Sequence, residues 1–146
     1  MLHVRNVIFL AAIAYWIPAF ALDEAEIASR VKNDLATEYA ECGAYFAVVA
    51  EGMRRSLPEG PAKERDLAAW KKFSSGAFQL ATALRSEERT IAVAKQATEQ
   101  IKRLINNSYE NLNLAADEYG HRCKVLIEDP KARTQQLIDK EHATSR

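Results

Sequence analysis

The sequence has little glycine, proline and cysteine, and it has no excess charge of either sign. Its 146 residues include five glycines, four prolines and two cysteines. These counts argue against a long disordered tail and against a small scaffold held mainly by disulfides. Lysine plus arginine equals aspartate plus glutamate, at twenty each. Nucleic-acid binding calls for a basic excess or a basic stripe, whereas Arg54-Arg55 and Lys71-Lys72 are isolated pairs. We therefore expect no nucleic-acid partner.

Residue patterns that accompany catalysis are also missing. Beyond the N-terminal leader predicted below, the only histidines are His121 and His142, and no G-x-S-x-G motif is present. Nucleophilic hydrolysis needs a serine or cysteine with a histidine base and an orienting group. The sequence therefore predicts no catalytic residue and no cofactor, and we expect the protein not to be an enzyme.

The one long apolar run lies at the start of the chain. Residues 1–21 place Arg5 before the apolar segment Val7–Ile17, and a proline and small residues follow up to Ala21. This is the layout of a secretory signal peptide, and the apolar run is shorter than the roughly 20 residues that span a bilayer. An uncleaved anchor is the alternative. We expect cleavage between Ala21 and Leu22, no membrane span afterwards, and export to the periplasm or the extracellular space.

Export decides how Cys42 and Cys123 are interpreted. In an oxidising compartment two cysteines typically form a disulfide. A zinc site would need four ligands, usually at short recurrent spacings. A cysteine nucleophile would need a histidine partner, but His121 and Cys123 are two residues apart and would point to different faces of a helix. The sequence therefore predicts a Cys42–Cys123 disulfide.

The rest of the chain has helical periodicity. Apolar residues recur every three or four positions, acidic residues occupy the first turns of the first helix and Arg54-Arg55 end it, and LPEGP at 57–61 interrupts the pattern. We predict an all-α fold, as an up-down four-helix bundle with a short C-terminal helix and one interhelical disulfide, in a single domain over 22–146. The four predicted helices are about 23–56, 62–85, 87–106 and 108–128.

Residues 87–128 allow two interpretations. An apolar ladder with a seven-residue period, from Ile91 to Leu126, favours one long helix, whereas the adjacent asparagines in INNSYEN favour a break. With a rise of ~1.5 Å per residue, an unbroken helix would carry Cys123 roughly 35–40 Å beyond the level of Cys42. A turn at residues 106–108 brings the two cysteines to similar levels. The predicted disulfide therefore favours two helices, and the single helix stays open.

Capping residues mark two helix starts. Ser86 precedes two glutamates, which favours a hydroxyl cap followed by acids in the first turn. Asp129 precedes Pro130, which suits the first position of a helix. This last helix has Leu137 and Ile138 as its apolar contact.

The segment CGAYFAVVAEGM at 42–53 is apolar nearly all round the helix. Either this helix is central and fully surrounded, or it exposes an apolar groove for a partner. In a bundle where each helix has two close neighbours, some of these side chains stay partly exposed. The predicted binding face therefore comprises Tyr45, Phe46, Val49, Trp70 and Phe73.

A single E-x-x-H spacing, Glu118 and His121, is the one arrangement that resembles a metal site. Di-iron carboxylate bundles use two such motifs together with further glutamates. Here the nearest companions on the first helix are Glu38, Glu41 and Glu51. Because one copy arises easily by chance, we predict no metal centre and keep Glu118 and His121 as the weak candidate.

Two functional hypotheses follow. The leading one is a small exported, non-enzymatic protein-binding module of the inhibitor, immunity, chaperone or accessory type, whose partner is another envelope or secreted protein. The alternative is a helical bundle that binds a metal or a small ligand through Glu118 and His121. The sequence decides neither the partner nor the oligomeric state.

Overall fold

The computed structural model describes residues 24–144, and the predicted leader with its Ala21–Leu22 cleavage site lies outside the described residues. The described chain is all-α, which confirms the predicted fold class. None of its helices is both long enough and apolar enough to cross a membrane. The α-helices are α1 Glu24–Ser56, α2 Pro61–Leu84, α3 Glu87–Leu104, α4 Leu112–Ala115, α5 His121–Glu128 and α6 Pro130–Thr144. A 3₁₀ turn spans Tyr109–Asn111 and a π-helical turn spans Ala116–Gly120.

Helix α1 is the central element, and the other long helices pack around it. It contacts α2 and α3 most extensively and also touches α5 and α6, whereas α2 and α3 touch each other only sparsely. Between residues 36 and 50 most of its side chains are buried, on every side of the helix. The structure therefore chooses the surrounded-helix interpretation of residues 42–53. A four-helix bundle with equivalent neighbours is not confirmed, because one helix serves as the axis.

The α1–α2 pair is antiparallel and packs through small residues. The Arg85 side chain donates hydrogen bonds to Asn33 O and Thr37 Oγ1 near the start of α1. Further along, Ser74 Oγ donates to Gly43 O at 2.9 Å. Ser74 is one of only four buried residues on α2, together with Lys63, Ala77 and Ala81. Small side chains on both helices bring the two backbones close, so α2 buries a narrow strip and leaves most of its surface open.

The predicted break after α3 is confirmed. Asn106 and Asn107 have φ of 53° and 56°, the left-handed conformation that asparagine tolerates better than most residues. The amide of Asn107 donates to Lys102 O at 2.8 Å, and the side chain of Asn111 donates to Ile105 O at 3.1 Å. The two asparagines therefore end α3 and turn the chain, and the single helix over 87–128 is wrong.

The predicted regular helix at 108–128 is corrected. This fourth segment consists of the 3₁₀ turn, α4, the π-helical turn and α5 in succession. It runs antiparallel to α1, because Tyr109 lies at Gly52 and Cys123 lies at Cys42. The π-helical turn is wider than a turn of α-helix and contains Tyr119. The ring of Tyr119 stacks on that of Tyr45, with ring centroids 5.9 Å apart. Regular periodicity did not reveal this change of helix type.

The predicted disulfide between Cys42 and Cys123 is present, with a Cα–Cα distance of 5.4 Å. Neither cysteine has solvent-accessible surface. The bond joins α1 to α5 across 81 residues of chain. It fixes the level of the fourth segment on α1, and it is consistent with an oxidising, exported location.

Helix α6 packs along α1 toward the N-terminus of α1. Its 15 residues make it longer than the short C-terminal helix that was predicted. Asp129 caps it, because Asp129 Oδ1 accepts a hydrogen bond from the amide of Ala132 at 3.0 Å. Leu137 packs with Ile27 and Val31 in a second core cluster, and Ile138 lies beside them. By contrast Ser86, at the start of α3, makes no side-chain cap bond.

A double ion-pair contact also holds α6 on α1. The guanidinium of Arg133 donates to both carboxylate oxygens of Glu38, and its Nε–Oε2 distance is 2.9 Å. Glu38 is buried, and both of its carboxylate oxygens have Arg133 as their hydrogen-bond donor. The contact raises the pKa of Arg133, chiefly through the hydrogen bonds to Glu38. The terminal helix is thus docked by both apolar and charged contacts.

We predict that replacing both cysteines with alanine, C42A/C123A, lowers the free energy of unfolding by about 4 kcal/mol, because the cross-link closes a long loop in the unfolded chain. Urea unfolding of the mature protein, followed by circular dichroism, measures this change. The oxidised wild type with and without reductant during unfolding is the matched comparison. Identical unfolding midpoints for the variant and the oxidised wild type would contradict a stabilising role.

Two glycine substitutions test the close packing of the helices. A Cβ at Gly52 would overlap Leu112 and Tyr109, whereas a Cβ at Gly76 has nothing within 4 Å. We expect Gly52→Ala to destabilise by about 1 kcal/mol or more, since overpacking outweighs the gain in helix propensity. Gly76→Ala should stabilise by about 1 kcal/mol, because only the propensity term acts.

The same denaturant titration measures both variants, and Gly76→Ala serves as the control for Gly52→Ala. If both substitutions stabilise the protein equally, the fourth segment does not lie against Gly52.

Candidate functional site

The predicted binding face is only partly at the surface. Tyr45, Phe46 and Val49 are buried, Trp70 is half-buried, and Phe73 is exposed. The first three are core residues because α1 is covered from several sides rather than from two. A partner cannot reach them in this structure, so their assignment to an accessible face is corrected. Trp70 and Phe73, on α2, are the members that contact solvent.

Phe73 is exposed, but its ring packs against other aromatic rings on the side that faces the core. Its ring centroid lies 5.7 Å from that of Phe46 and 6.2 Å from that of Trp70. Phe46 in turn lies 5.4 Å from Tyr45, which stacks on Tyr119 of the π-helical turn. Burial raises the pKa of both tyrosines, so their phenols stay neutral and add no charge. A continuous aromatic cluster therefore anchors Phe73 from the core to the surface.

Leu80 extends this exposed apolar surface along α2. Phe73 is 44% exposed and Leu80 is 48% exposed, and their spacing of seven residues places them on the same side of the helix. Gly76 lies between them with nothing within 4 Å of the position a Cβ would take. We call Phe73, Gly76 and Leu80 the apolar stripe. Leu80 was not among the predicted binding residues. The sequence did contain a signal for it, because Leu80 follows Phe73 by seven residues and so lies on the same side of the helix.

A groove between α1 and α2 lies near Phe78, with a volume of about 320 Å³. Its apolar surface comes from Ala47, Ala50 and Phe78, and Ser74 and Ser75 add hydroxyl groups. The ring of Phe78 covers Gly43, where a Cβ would come within 2.8 Å of ring carbons. We call this the α1–α2 groove. Ala47 and Ser75 are exposed, so the groove opens to solvent.

Two cations from the basic pairs on α1 and α2 line this groove. Arg54 of α1 and Lys71 of α2 stand in its lining together with Glu51. Glu51 accepts hydrogen bonds from Arg54 at 2.8 Å and from Arg55 at 2.6 Å. These bonds, first that from Arg54 and then that from Arg55, lower the pKa of Glu51 to about 2. The carboxylate stays ionised at neutral pH and offsets one of the two lining cations, so the charged residues of the groove, Glu51, Arg54 and Lys71, sum to a net charge of +1.

The metal candidate gains no further ligands. Glu118 and His121 are exposed. Glu118 lies in the π-helical turn, where an i,i+3 pair does not stack as it does in an α-helix. Within residues 24–144, no group of three or more histidine, cysteine, aspartate and glutamate side chains could hold a metal ion.

The glutamates proposed as companions of that motif all pair with arginines. Glu38 binds Arg133, and Glu51 binds Arg54 and Arg55. Glu41 binds Arg122 at 2.9 Å, and the guanidinium of Arg122 also lies over the ring of Tyr119. These carboxylates therefore connect the helices through ion pairs. Nothing in this arrangement favours the alternative hypothesis of a metal bundle.

Comparisons of the chain with protein-family models, with curated proteins and with solved structures found no match. The chain's own residues therefore carry the functional inference. The surfaces that stand out are the apolar stripe and the α1–α2 groove, and both belong to α2.

Proposed function

We propose that this chain is a small exported protein with a non-enzymatic binding role, and that α2 is the helix with which it contacts a partner protein. The observation that carries the proposal is the partial burial of α2. This helix has 24 residues, only four of them buried, and it displays Phe73 and Leu80 to solvent. An exposed apolar surface on a small protein commonly marks an interaction site.

The rigidity of the stripe supports this role. Phe73 packs on Phe46 and Trp70, so its ring loses little freedom when a partner covers it. Aromatic anchors that are already held in place bind at a lower entropic cost than flexible side chains. The partner we propose is another protein of the envelope or of the secreted fraction, since the predicted leader and the buried disulfide both suit export.

The distribution of the other exposed apolar residues provides a control. Ile91 is 59% exposed but lies on α3, outside the stripe. Substituting it removes a comparable exposed apolar side chain without touching α2. A loss of binding confined to the stripe would therefore separate a defined interface from general surface hydrophobicity.

We expect the double substitution F73S/L80S to weaken partner binding by about tenfold or more, because hot-spot side chains typically contribute 1–2 kcal/mol or more. Partners are identified by affinity purification from the envelope and culture fluid with the mature, oxidised protein. Each is then purified and its affinity measured pairwise by calorimetry. I91S should bind as the wild type does. Equal pairwise affinities for wild type and F73S/L80S would exclude the stripe as the binding surface.

A further inference from the structure

The shape of the α1–α2 groove suits the binding of one more helix. Two antiparallel helices meet there through the small residues Ala47, Ala50 and Ser74, with Phe78 at one side. Small residues let a third backbone approach closely, and an amphipathic helix binds such grooves through apolar side chains at i, i+3, i+4 and i+7. All the residues that line the groove belong to α1 and α2, so no other helix of the described chain lines this place beside α2.

Charge narrows the identity of the occupant. Arg54 and Lys71 stand on different helices of the groove, while Glu51 is paired with Arg54 and Arg55. A basic partner would face like charges as it docked, and repulsion between like charges disfavours binding. An acidic partner would find complementary charges next to an apolar floor. The groove therefore selects for acidic residues beside apolar ones.

The shape of the groove favours a polypeptide over a small molecule. Its volume of about 320 Å³ lies at the low end of the range of roughly 300–1,000 Å³ for ligand pockets. Exposed residues form much of its lining, including Ala47, Lys71 and Ser75. Such a site would enclose little of a small ligand, whereas a helix lying along it buries surface over about two turns, the length of the lining on each helix.

We propose that the α1–α2 groove binds an acidic amphipathic helix of a partner protein, with apolar side chains on Ala47, Ala50 and Phe78 and carboxylates toward Arg54 and Lys71. This inference extends the proposed function, because it gives the chemistry of a partner for the groove beside α2. It does not depend on the apolar stripe, which lies on another side of that helix.

Two synthetic helical peptides test it. They share one length and one set of leucines at i, i+3, i+4 and i+7, and they differ only in carrying glutamates or lysines beside the leucines. We expect the acidic peptide to bind the mature, oxidised protein at least about tenfold more tightly than the basic peptide, as measured by fluorescence anisotropy. Amide chemical shifts of Ala47, Ala50 and Ser75 should change on binding.

Charge-reversal variants supply the decisive comparison. R54E/K71E should lose the acidic peptide and gain the basic one, whereas R89E/K95E, a double reversal of the same charge change at exposed residues of α3, should behave as the wild type does. Circular dichroism confirms that each variant is folded. Binding of neither peptide, equal binding of both, or equal weakening by R89E/K95E and R54E/K71E would overturn the proposal.

Two further experiments distinguish a lipid surface from a protein partner, and the groove from the stripe. In the first, vesicles containing anionic phospholipid replace the peptide. If the protein binds the vesicles through Arg54 and Lys71 but does not bind the acidic peptide, the groove does not take a protein partner. F73S/L80S should still bind the acidic peptide. If the groove assay fails while F73S/L80S loses its natural partner, the groove inference is wrong and the proposed function stands.

Discussion

The structure depends on one constraint, which is that the middle of α1 is apolar on nearly all sides and must be covered on most of them, with Ala47 left exposed at the α1–α2 groove. Leaving such a helix in water would forgo about 1.5–3 kcal/mol for each large apolar side chain. The chain meets this demand by surrounding α1 with α2, α3, the fourth segment and α6. The fold is thus better described as an axis with covering helices than as four equivalent helices. Close approach is possible because small residues such as Ala40, Gly43 and Ala44 alternate with the large ones.

Covalent and ionic contacts fix the covering segments at defined levels along that axis. The disulfide places Cys123 at Cys42, and Arg133 at Glu38 places α6 one turn further toward the N-terminus. Apolar packing alone specifies such levels weakly, because neighbouring turns of a helix offer similar surfaces. Specific pairs between distant parts of the chain remove that ambiguity.

The way α1 is covered also determines which aromatic and charged side chains reach the surface. The aromatic side chains of α1, Tyr39, Tyr45 and Phe46, are buried in the core, so a partner cannot contact them in this structure. Helix α2 has one main neighbour, and its remaining surface carries both Phe73 and the cation Lys71. The aromatic cluster links this surface to the core, so the exposed ring of Phe73 is held by the same contacts that stabilise the fold. Phe46 and Trp70 therefore connect the exposed ring of Phe73 to the core.

The sequence by itself determined the first three helices, the cap at Asp129 and the pairing of the cysteines, and it favoured the break at the two asparagines. Each of these depends on local chemistry or on a spacing that only one arrangement satisfies. Tertiary structure alone decided that Tyr45, Phe46 and Val49 are buried, that residues 116–120 form a π-helical turn, and that Arg54 and Lys71 line one groove. Periodicity gives the angle of a side chain about its own helix axis, but it does not say which sides of that helix have neighbours. That depends on how all the helices pack together, and so the exposed apolar and charged surfaces of α2 could be located only in the folded chain.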